Sequence, residues 1–264
     1  MRGRWTAVVG MIMALGALLW AGACPAAELE RRAAFDIGGG GVRVKVADVD
    51  ADTGRIRGVV LEEEAQVRFE QSLADSPDGT LGPLIRAQGI QALRRLRRLG
   101  QEAGATAFSG VCTSALREAA NGPAVAAAMA AASGVPLAVL SQRQEALLGY
   151  HGARERARAQ GLDASRACVW DIGGGSMQLA CTAPGNADGE PWLYMGRLAS
   201  IPMRDYIVST LLARDPVIHP SPNPMGPGAA RKAAAYARGV ARREVARPLR
   251  EAAQAADTVV LGIG

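Results

Sequence analysis

The chain has almost no lysine: its 30 basic residues are arginines except for Lys45 and Lys232. The net charge of +5 and pI of about 9.4 would suit a polyanionic partner. So complete a skew toward arginine reads instead as genomic bias. The densest cluster, Arg94, Arg95, Arg97 and Arg98, is interleaved with Leu93, Leu96 and Leu99 at helical spacing. It reads as a solvated helix face over a buried stripe in preference to a polyanion-binding patch, and nucleic acid is not an expected partner. Cysteine is scarce too. Cys112, Cys168 and Cys181 have no metal-ligand spacing, which argues against a zinc site, and Cys24 falls near the N-terminus. With 49% hydrophobic and 21% charged residues, the 264-residue chain is too mixed for wholesale disorder and can bury one large core or two modest ones.

Arg2 and Arg4 precede an apolar stretch from Trp5 to Ala23 and small residues at Ala21, Ala23 and Ala26. That is the pattern of a secretory signal. Residues 1–27 are therefore expected to be a leader, the mature chain to be exported to the periplasm, and no transmembrane segment to remain after cleavage. Ala21-Gly22-Ala23-Cys24 resembles a weak lipoprotein-processing box, with Ala21 where leucine is usual. A lipid anchor through Cys24 is one alternative. An uncleaved anchor is another, because the run approaches the ~20 residues of a spanning helix.

A repeat organises the rest. Phe35-Asp36-Ile37-Gly38-Gly39-Gly40 recurs as Trp170-Asp171-Ile172-Gly173-Gly174-Gly175, each followed by alternating apolar residues (Val42, Val44, Val46; Met177, Leu179, Cys181). Each copy reads as strand, tight glycine turn, strand. Between the copies the pattern predicts a third strand over 56–69, a loop over 75–83 and a helix over 84–103. A strand over 107–112, a helix over 121–133, a strand over 137–140 and a helix over 142–160 follow. After the second copy come a strand over 192–198, a helix over 203–214, a Pro-rich loop, a long helix over 229–256 and a strand over 258–262. The fold class is α/β with mixed sheets flanked by helices. Cys168 and Cys181 are about equidistant from the second turn, so a regular hairpin sets them opposite each other. Two small buried core residues and, in an oxidising compartment, a disulfide both satisfy that placement.

Glycine in such turns permits positive φ and lets the backbone approach an anion, so that successive N–H groups can bind phosphate oxygens. Gly38, Gly39, Gly40 and Gly41, with Gly173, Gly174 and Gly175, are accordingly candidate phosphate-binding residues. Asp36 and Asp171, at the strand ends just before the turns, supply carboxylates suited to Mg²⁺ or a metal-bound water.

Two further segments make a resemblance specific. Asp171-Ile172-Gly173-Gly174-Gly175-Ser176 and Thr113-Ser114-Ala115-Leu116-Arg117-Glu118-Ala119-Ala120-Asn121-Gly122 are similar to the second phosphate loop and the Thr-Ser-Ala-Leu-Arg-Asp-Ala-x-Asn segment of the exopolyphosphatase and guanosine-pentaphosphate phosphatase family. The resemblance runs along nearly all of the mature chain. It implies two related actin-like (ribonuclease H-like) domains, set at 32–145 and 146–264, the second shortened at its end, with room for a homodimer. It implies that Arg117 and Ser176 bind phosphate. Ser141-Gln142-Arg143-Gln144-Glu145-Ala146 is similar to the family's Ser-Gly-x-Glu-Glu-Ala, which makes Glu145 the general base.

The pattern departs at several points. Gly39, Gly40 and Gly41 replace Ser-Asn-Ser donors, Gln178 stands where a metal-binding Glu is usual, and Gln142 and Gln144 replace Gly and Glu. Asp36, Asp171 and Gln178 are therefore the expected Mg²⁺ set, with weakened affinity. The function implied is release of terminal phosphate from inorganic polyphosphate, ahead of guanosine pentaphosphate. A noncatalytic phosphate-chain sensor is the main rival, and a kinase of the same superfamily is disfavoured by the Thr-Ser-Ala-Leu-Arg match.

Overall fold

A strand with one buried face needs apolar side chains at every second position, and Val42, Val44 and Val46 are each essentially inaccessible. They lie on β2 (Gly41–Asp50), which returns antiparallel from β1 (Leu29–Ile37) and pairs on its far side with β3 (Ile56–Gln66). β4 (Ala107–Cys112) and β5 (Leu137–Val139) add in parallel, so the sheet runs β3-β2-β1-β4-β5. The computed structural model describes residues 28–185 and 189–263. The segment expected to be a leader, with Cys24, lies outside the described residues.

β3 is the exposed edge, and Glu62 and Glu64 on it pair with Lys45 and Arg43 of β2. Charge along an edge strand discourages pairing with another chain. Four helices complete this half: α1 (Phe69–Ala74), α2 (Pro83–Glu102), α3 (Ser114–Glu118) and α4 (Gly122–Ser133). Leu93 and Leu96 of α2 are wholly buried in one core with Phe35, Val44, Phe69 and Met129. The arginines between them stay on the surface, where Arg94 donates to the Ala132 carbonyl (2.7 Å) and Arg97 stands over the Phe108 ring. The row is a solvated face with local partners.

The third strand was expected to reach Phe69, but it ends at Gln66 and Phe69 opens α1. The ring packs so closely on α2 that a methyl group at Gly89 would lie 2.6 Å from it. Burial of one aromatic therefore overrides the strand pattern, and it brings Glu70 toward the cleft.

The second half repeats the plan. β6 (Ala167–Ile172), β7 (Met177–Cys181), β8 (Trp192–Gly196) and β9 (Val259–Ile263) form a sheet in the order β8-β7-β6-β9, antiparallel except for β6–β9. This matches the first four strands of the other sheet. α5 (Gln142–Ala159) covers one face, with Tyr150 against Val169 and Ala180. α7 (Gly226–Glu244) and α8 (Arg247–Gln254) lie on the other side, where Leu249 packs with Met177 and Tyr194, and Tyr194 donates to Glu244.

The helix expected over 229–256 is thus two. Pro248 lies in the first turn of α8, a position it tolerates, whereas inside a continuous helix it would remove a backbone bond. The helix expected over 203–214 starts earlier, as α6 (Ser200–Asp205), and runs into a π-helical stretch, Tyr206–Leu211. Cys168 and Cys181 stand in register on β6 and β7 and are joined by a disulfide; Cys112 is a buried free thiol. Among the described residues, no helix is long and apolar enough to cross a membrane.

Candidate active site

The two glycine turns close in the same way. Gly38 N–H donates to the Gly41 carbonyl (2.9 Å), and Gly173 N–H to that of Ser176 (3.0 Å). Two carbonyls of each turn are held by the segment after its third strand. Val67 and Glu70 amides donate to Gly40 and Gly39 (3.1 and 2.9 Å), and Ser200 and Ile201 amides to Gly173 and Gly174 (3.1 and 3.0 Å). Among the described residues, the amides of Gly39, Gly40, Gly174 and Gly175 have no acceptor. Four uncommitted N–H groups in two facing turns make an anion cradle.

None of these glycines has positive φ, so the conformational freedom expected of them is not what the turns use. Close approach is. A methyl group at Gly41 would lie 2.6 Å from the Ala65 carbonyl oxygen. The replacement of a hydroxyl residue by Gly41 is thus required by the neighbouring strand.

A cavity of about 410 Å³ opens between the turns, and Gly38–Gly41, Gly173, Gly174, Ser176, Asp36, Asp171 and Glu145 line it. β1 and β6 each end one residue beyond their aspartate, which places both carboxylates at the cavity floor. Burial pushes the Asp36 carboxyl up, with Arg43 opposing. Burial, aided by the Glu145 and Asp36 charges, pushes Asp171 up to about 6.

Glu145 is delivered by the first turn of α5. Ser141 and Gln144 cap that helix reciprocally: the Ser141 hydroxyl accepts from the Gln144 amide (3.2 Å), and the Gln144 side chain accepts from the Ser141 amide (2.9 Å). Gln142 donates to the Met177 and Gly196 carbonyls (3.3 and 3.0 Å). Both glutamines that depart from the family pattern therefore fasten the helix start that carries Glu145.

Arg117, on α3, is not itself in the cavity wall but bonds to two residues that are. It donates to Glu145 (2.8 Å) and to the Ser176 hydroxyl (3.3 Å), and to the Leu140 carbonyl (3.1 Å) behind them. Burial raises the Glu145 pKa and the bond from Arg117 lowers it, burial being the larger effect. Ser176 also accepts from the Gln178 side chain (3.1 Å). With two donors occupying its lone pairs, the hydroxyl has only its proton left to offer, a donor for an anion in the cavity. Gln178 is buried behind the wall, across the hairpin from Asp171, and Gly175 is also outside the cavity lining.

Whether these residues suit a magnesium ion follows from their donors. Among the described residues no three His, Cys, Asp or Glu side chains are grouped to hold a metal by themselves. Asp36 Oδ1 is nonetheless buried without a hydrogen-bond partner, and Asp36, Asp171 and Glu145 repel one another. A cation would relieve both. Mg²⁺ needs only one or two carboxylates when water and substrate phosphates complete its octahedron, so Asp36 and Asp171 fit it.

Arg43, Ser114 and Glu70 are among the wall or cleft residues that lie outside the sequence expectations. Arg43 lines the cavity opposite Asp36 and could have been found by counting back across the turn. Ser114 lies inside the diagnostic Thr-Ser-Ala-Leu-Arg run, and its hydroxyl donates to Glu70 (3.1 Å). Glu70 carries no motif at all.

The Ppx/GppA phosphatase family model matches residues 45–187, which takes in Arg117, Glu145 and the second turn but not the first. No curated protein matches the chain by sequence. Among solved structures, an Aquifex aeolicus Ppx/GppA family member is 20% identical with a TM-score of 0.56, over 69% of this chain and 56% of that one. An exopolyphosphatase from Cytophaga hutchinsonii is 18% identical with a TM-score of 0.53, over 64% and 51%. Another structure, of the Aquifex aeolicus Ppx-GppA enzyme, reaches a TM-score of 0.63 at 17% identity, over 90% and 68%. The chain thus spans about half the length of the first two, and at these identities the likeness is one of fold. With more than half of its residues matched and both mixed sheets in place, the chain belongs to the Ppx/GppA phosphatase family and has its two-domain actin-like architecture.

Proposed function

We propose that the protein is an exported hydrolase that releases terminal phosphate from inorganic polyphosphate. The observation that carries this reading is the convergence of Asp36, Asp171 and Glu145 on one cavity between two turns with free amides, with Arg117 bonded to both Glu145 and Ser176. The exopolyphosphatase name of a structural neighbour supports the substrate class.

In the resting cleft Arg117 neutralises Glu145. A phosphate seated between the turns offers the guanidinium a second anion with geometry suited to its fork. As the bonds of Arg117 pass to that phosphate, Glu145 is released to take a proton from water. The water oxygen attacks the terminal phosphorus, the anhydride P–O bond breaks, and the bridging oxygen leaves with the shortened chain. Glycine amides, the Ser176 hydroxyl and Arg117 balance the charge on the transferring group. Asp36 and Asp171 would hold Mg²⁺, whose role is to screen the phosphate oxygens.

The arginine-flanked apolar leader supports export to the periplasm, with anchoring through Cys24 as the variant form. An exported site favours polyphosphate over guanosine pentaphosphate. A second reading, a noncatalytic phosphate-chain sensor, draws on the Arg117–Glu145 pair that ties up the base and on a first turn without side-chain donors.

Incubation of the full chain with long-chain polyphosphate and Mg²⁺ separates the two. The hydrolase releases orthophosphate, and Glu145→Gln lowers that rate about 100- to 10,000-fold. Tight polyphosphate binding with no release would establish the sensor instead.

A further inference from the structure

Glu70 occupies the space between the two turns. Its amide holds the Gly39 carbonyl (2.9 Å), and Oε2 of its carboxylate accepts from Ser114 (3.1 Å). A methyl group at Gly39 would lie 3.0 Å from the same oxygen, and one at Gly175 would overlap the carboxylate. The side chain therefore bridges the first turn, the start of α3 and the second turn, which belongs to the other domain. Gly175 has an uncommitted amide yet is missing from the cavity wall, whereas Gly173 and Gly174 are present.

The frame does not need an acid there. Ile201 occupies the corresponding place in the second half, with its amide on the Gly174 carbonyl (3.0 Å) and its Cδ1 3.4 Å from where a Gly174 methyl would be. An apolar side chain thus suffices wherever the backbone bond is what holds the turn. The carboxylate of Glu70 is half-buried at the expense of its charge, and that partial burial pushes its pKa up. Carboxylate and phosphate oxygens accept the same kind of hydrogen bonds, so an internal acid between two anion-binding turns mimics a ligand.

Accepting the phosphate-binding reading of the cleft, on which this step rests, we propose that Glu70 fills one phosphate subsite. Its carboxylate lies over Gly175 in place of a phosphate group and sets how much anionic charge the cleft accepts. A phosphate chain either displaces Glu70 or seats one group fewer. Either way the like charge weakens binding, and Glu70 is a specificity-determining residue for this reaction.

Calorimetric titration of the full chain with pyrophosphate and with long-chain polyphosphate, with and without Mg²⁺, tests this. Glu70→Gln keeps the shape and removes the charge, and should tighten binding of both probes about tenfold without metal. Glu70→Ala also vacates the volume and should tighten polyphosphate binding at least as much. Ile201→Glu should weaken it. Thermal melting of Glu70→Gln at or above the wild-type temperature shows that the fold is kept.

Weaker or unchanged binding in Glu70→Gln, beside a wild type that binds polyphosphate, would overturn the subsite assignment and leave the proposed function standing. A loss of affinity only when Mg²⁺ is present would make Glu70 a cation ligand and overturn it equally. Absence of polyphosphate binding in every form would remove both readings together.

Discussion

The turns at Gly38–Gly41 and Gly173–Ser176 share a backbone and differ in everything around it. Each closes with one hydrogen bond across four residues, and each has two carbonyls held from the segment after the third strand. Around the second turn, Ser176 accepts from Arg117 and Gln178, Ile201 lies alongside, and Asp171 faces the neutral Gln178 across the hairpin. Around the first, no side chain of the turn can donate, Glu70 lies alongside, and Asp36 faces Arg43. The repeated frame supplies amides twice, and the side chains divide the labour. The second turn collects donors for an anion, while the first keeps its aspartate beside a cation and an acid between the turns.

After the loss of the base itself, the largest expected effect comes from Arg117→Ala, which removes a donor to Ser176 and the partner of Glu145 together. Orthophosphate release from polyphosphate should fall about 100- to 1,000-fold. An equal fall in a Gly40→Ser background would show that the second turn alone bears the anion.

The hairpins also differ in stapling. Cys168 and Cys181 sit where the first hairpin has Ala33 and Val46. Replacing both cysteines by alanine should cost about 3 kcal/mol in urea denaturation of the oxidised chain. No change would mean that the second hairpin is held by packing, as the first is.

Gly41 and Ser176 are equivalent positions, but Ser176 carries a side chain where one at Gly41 would lie 2.6 Å from the Ala65 carbonyl oxygen. Gly41→Ser should therefore destabilise by about 1–3 kcal/mol. Ser176→Gly should lose about 1 kcal/mol or less, with its main effect on phosphate affinity.

Burial raises both aspartates, and Asp171 should show it in the dependence of stability on pH. An acid whose folded-state pKa is raised favours folding while protonated, so stability is fully present below the unfolded value, about 4, and declines as pH rises through it. For Asp171 that decline should run to about 6, and Asp171→Asn should flatten the stability profile in this window. Thermal melts across the window check it. A profile unchanged in Asp171→Asn would assign the titration to another carboxyl. The smallest effect is expected from Gly40→Ser, where a side chain meets nothing within 4 Å. It should fold normally and bind polyphosphate about two- to fivefold more tightly, as a restored donor would.

Much of the frame was legible because it rests on local pattern. The duplicated Asp-Ile-Gly-Gly-Gly marks both hairpins, and the Thr113–Gly122 run marks Arg117. Val42, Val44 and Val46 alternate because one strand face is buried, and Leu93, Leu96 and Leu99 follow helical spacing for the same reason on α2. The misses are long-range. Phe69 continues a strand pattern but is drawn onto α2 by burial against Gly89, and no local signal reports that contact. Glu70, next in the chain, looks like a surface acid until α1 turns it into the cleft. Gln142 and Gln144 read as losses from a motif, yet one joins α5 to the second sheet and the other caps it.

The sequence by itself determined the strand and helix periods, the two turns, and the residue types for phosphate chemistry, since these depend on neighbours within a few positions. Only the tertiary structure decided which groups share a cavity. The meeting of Arg117 with Glu145 and Ser176 and the place of Glu70 over Gly175 both join residues distant in the chain. Such contacts follow from how two domains close around buried side chains, and no local spacing encodes that closure.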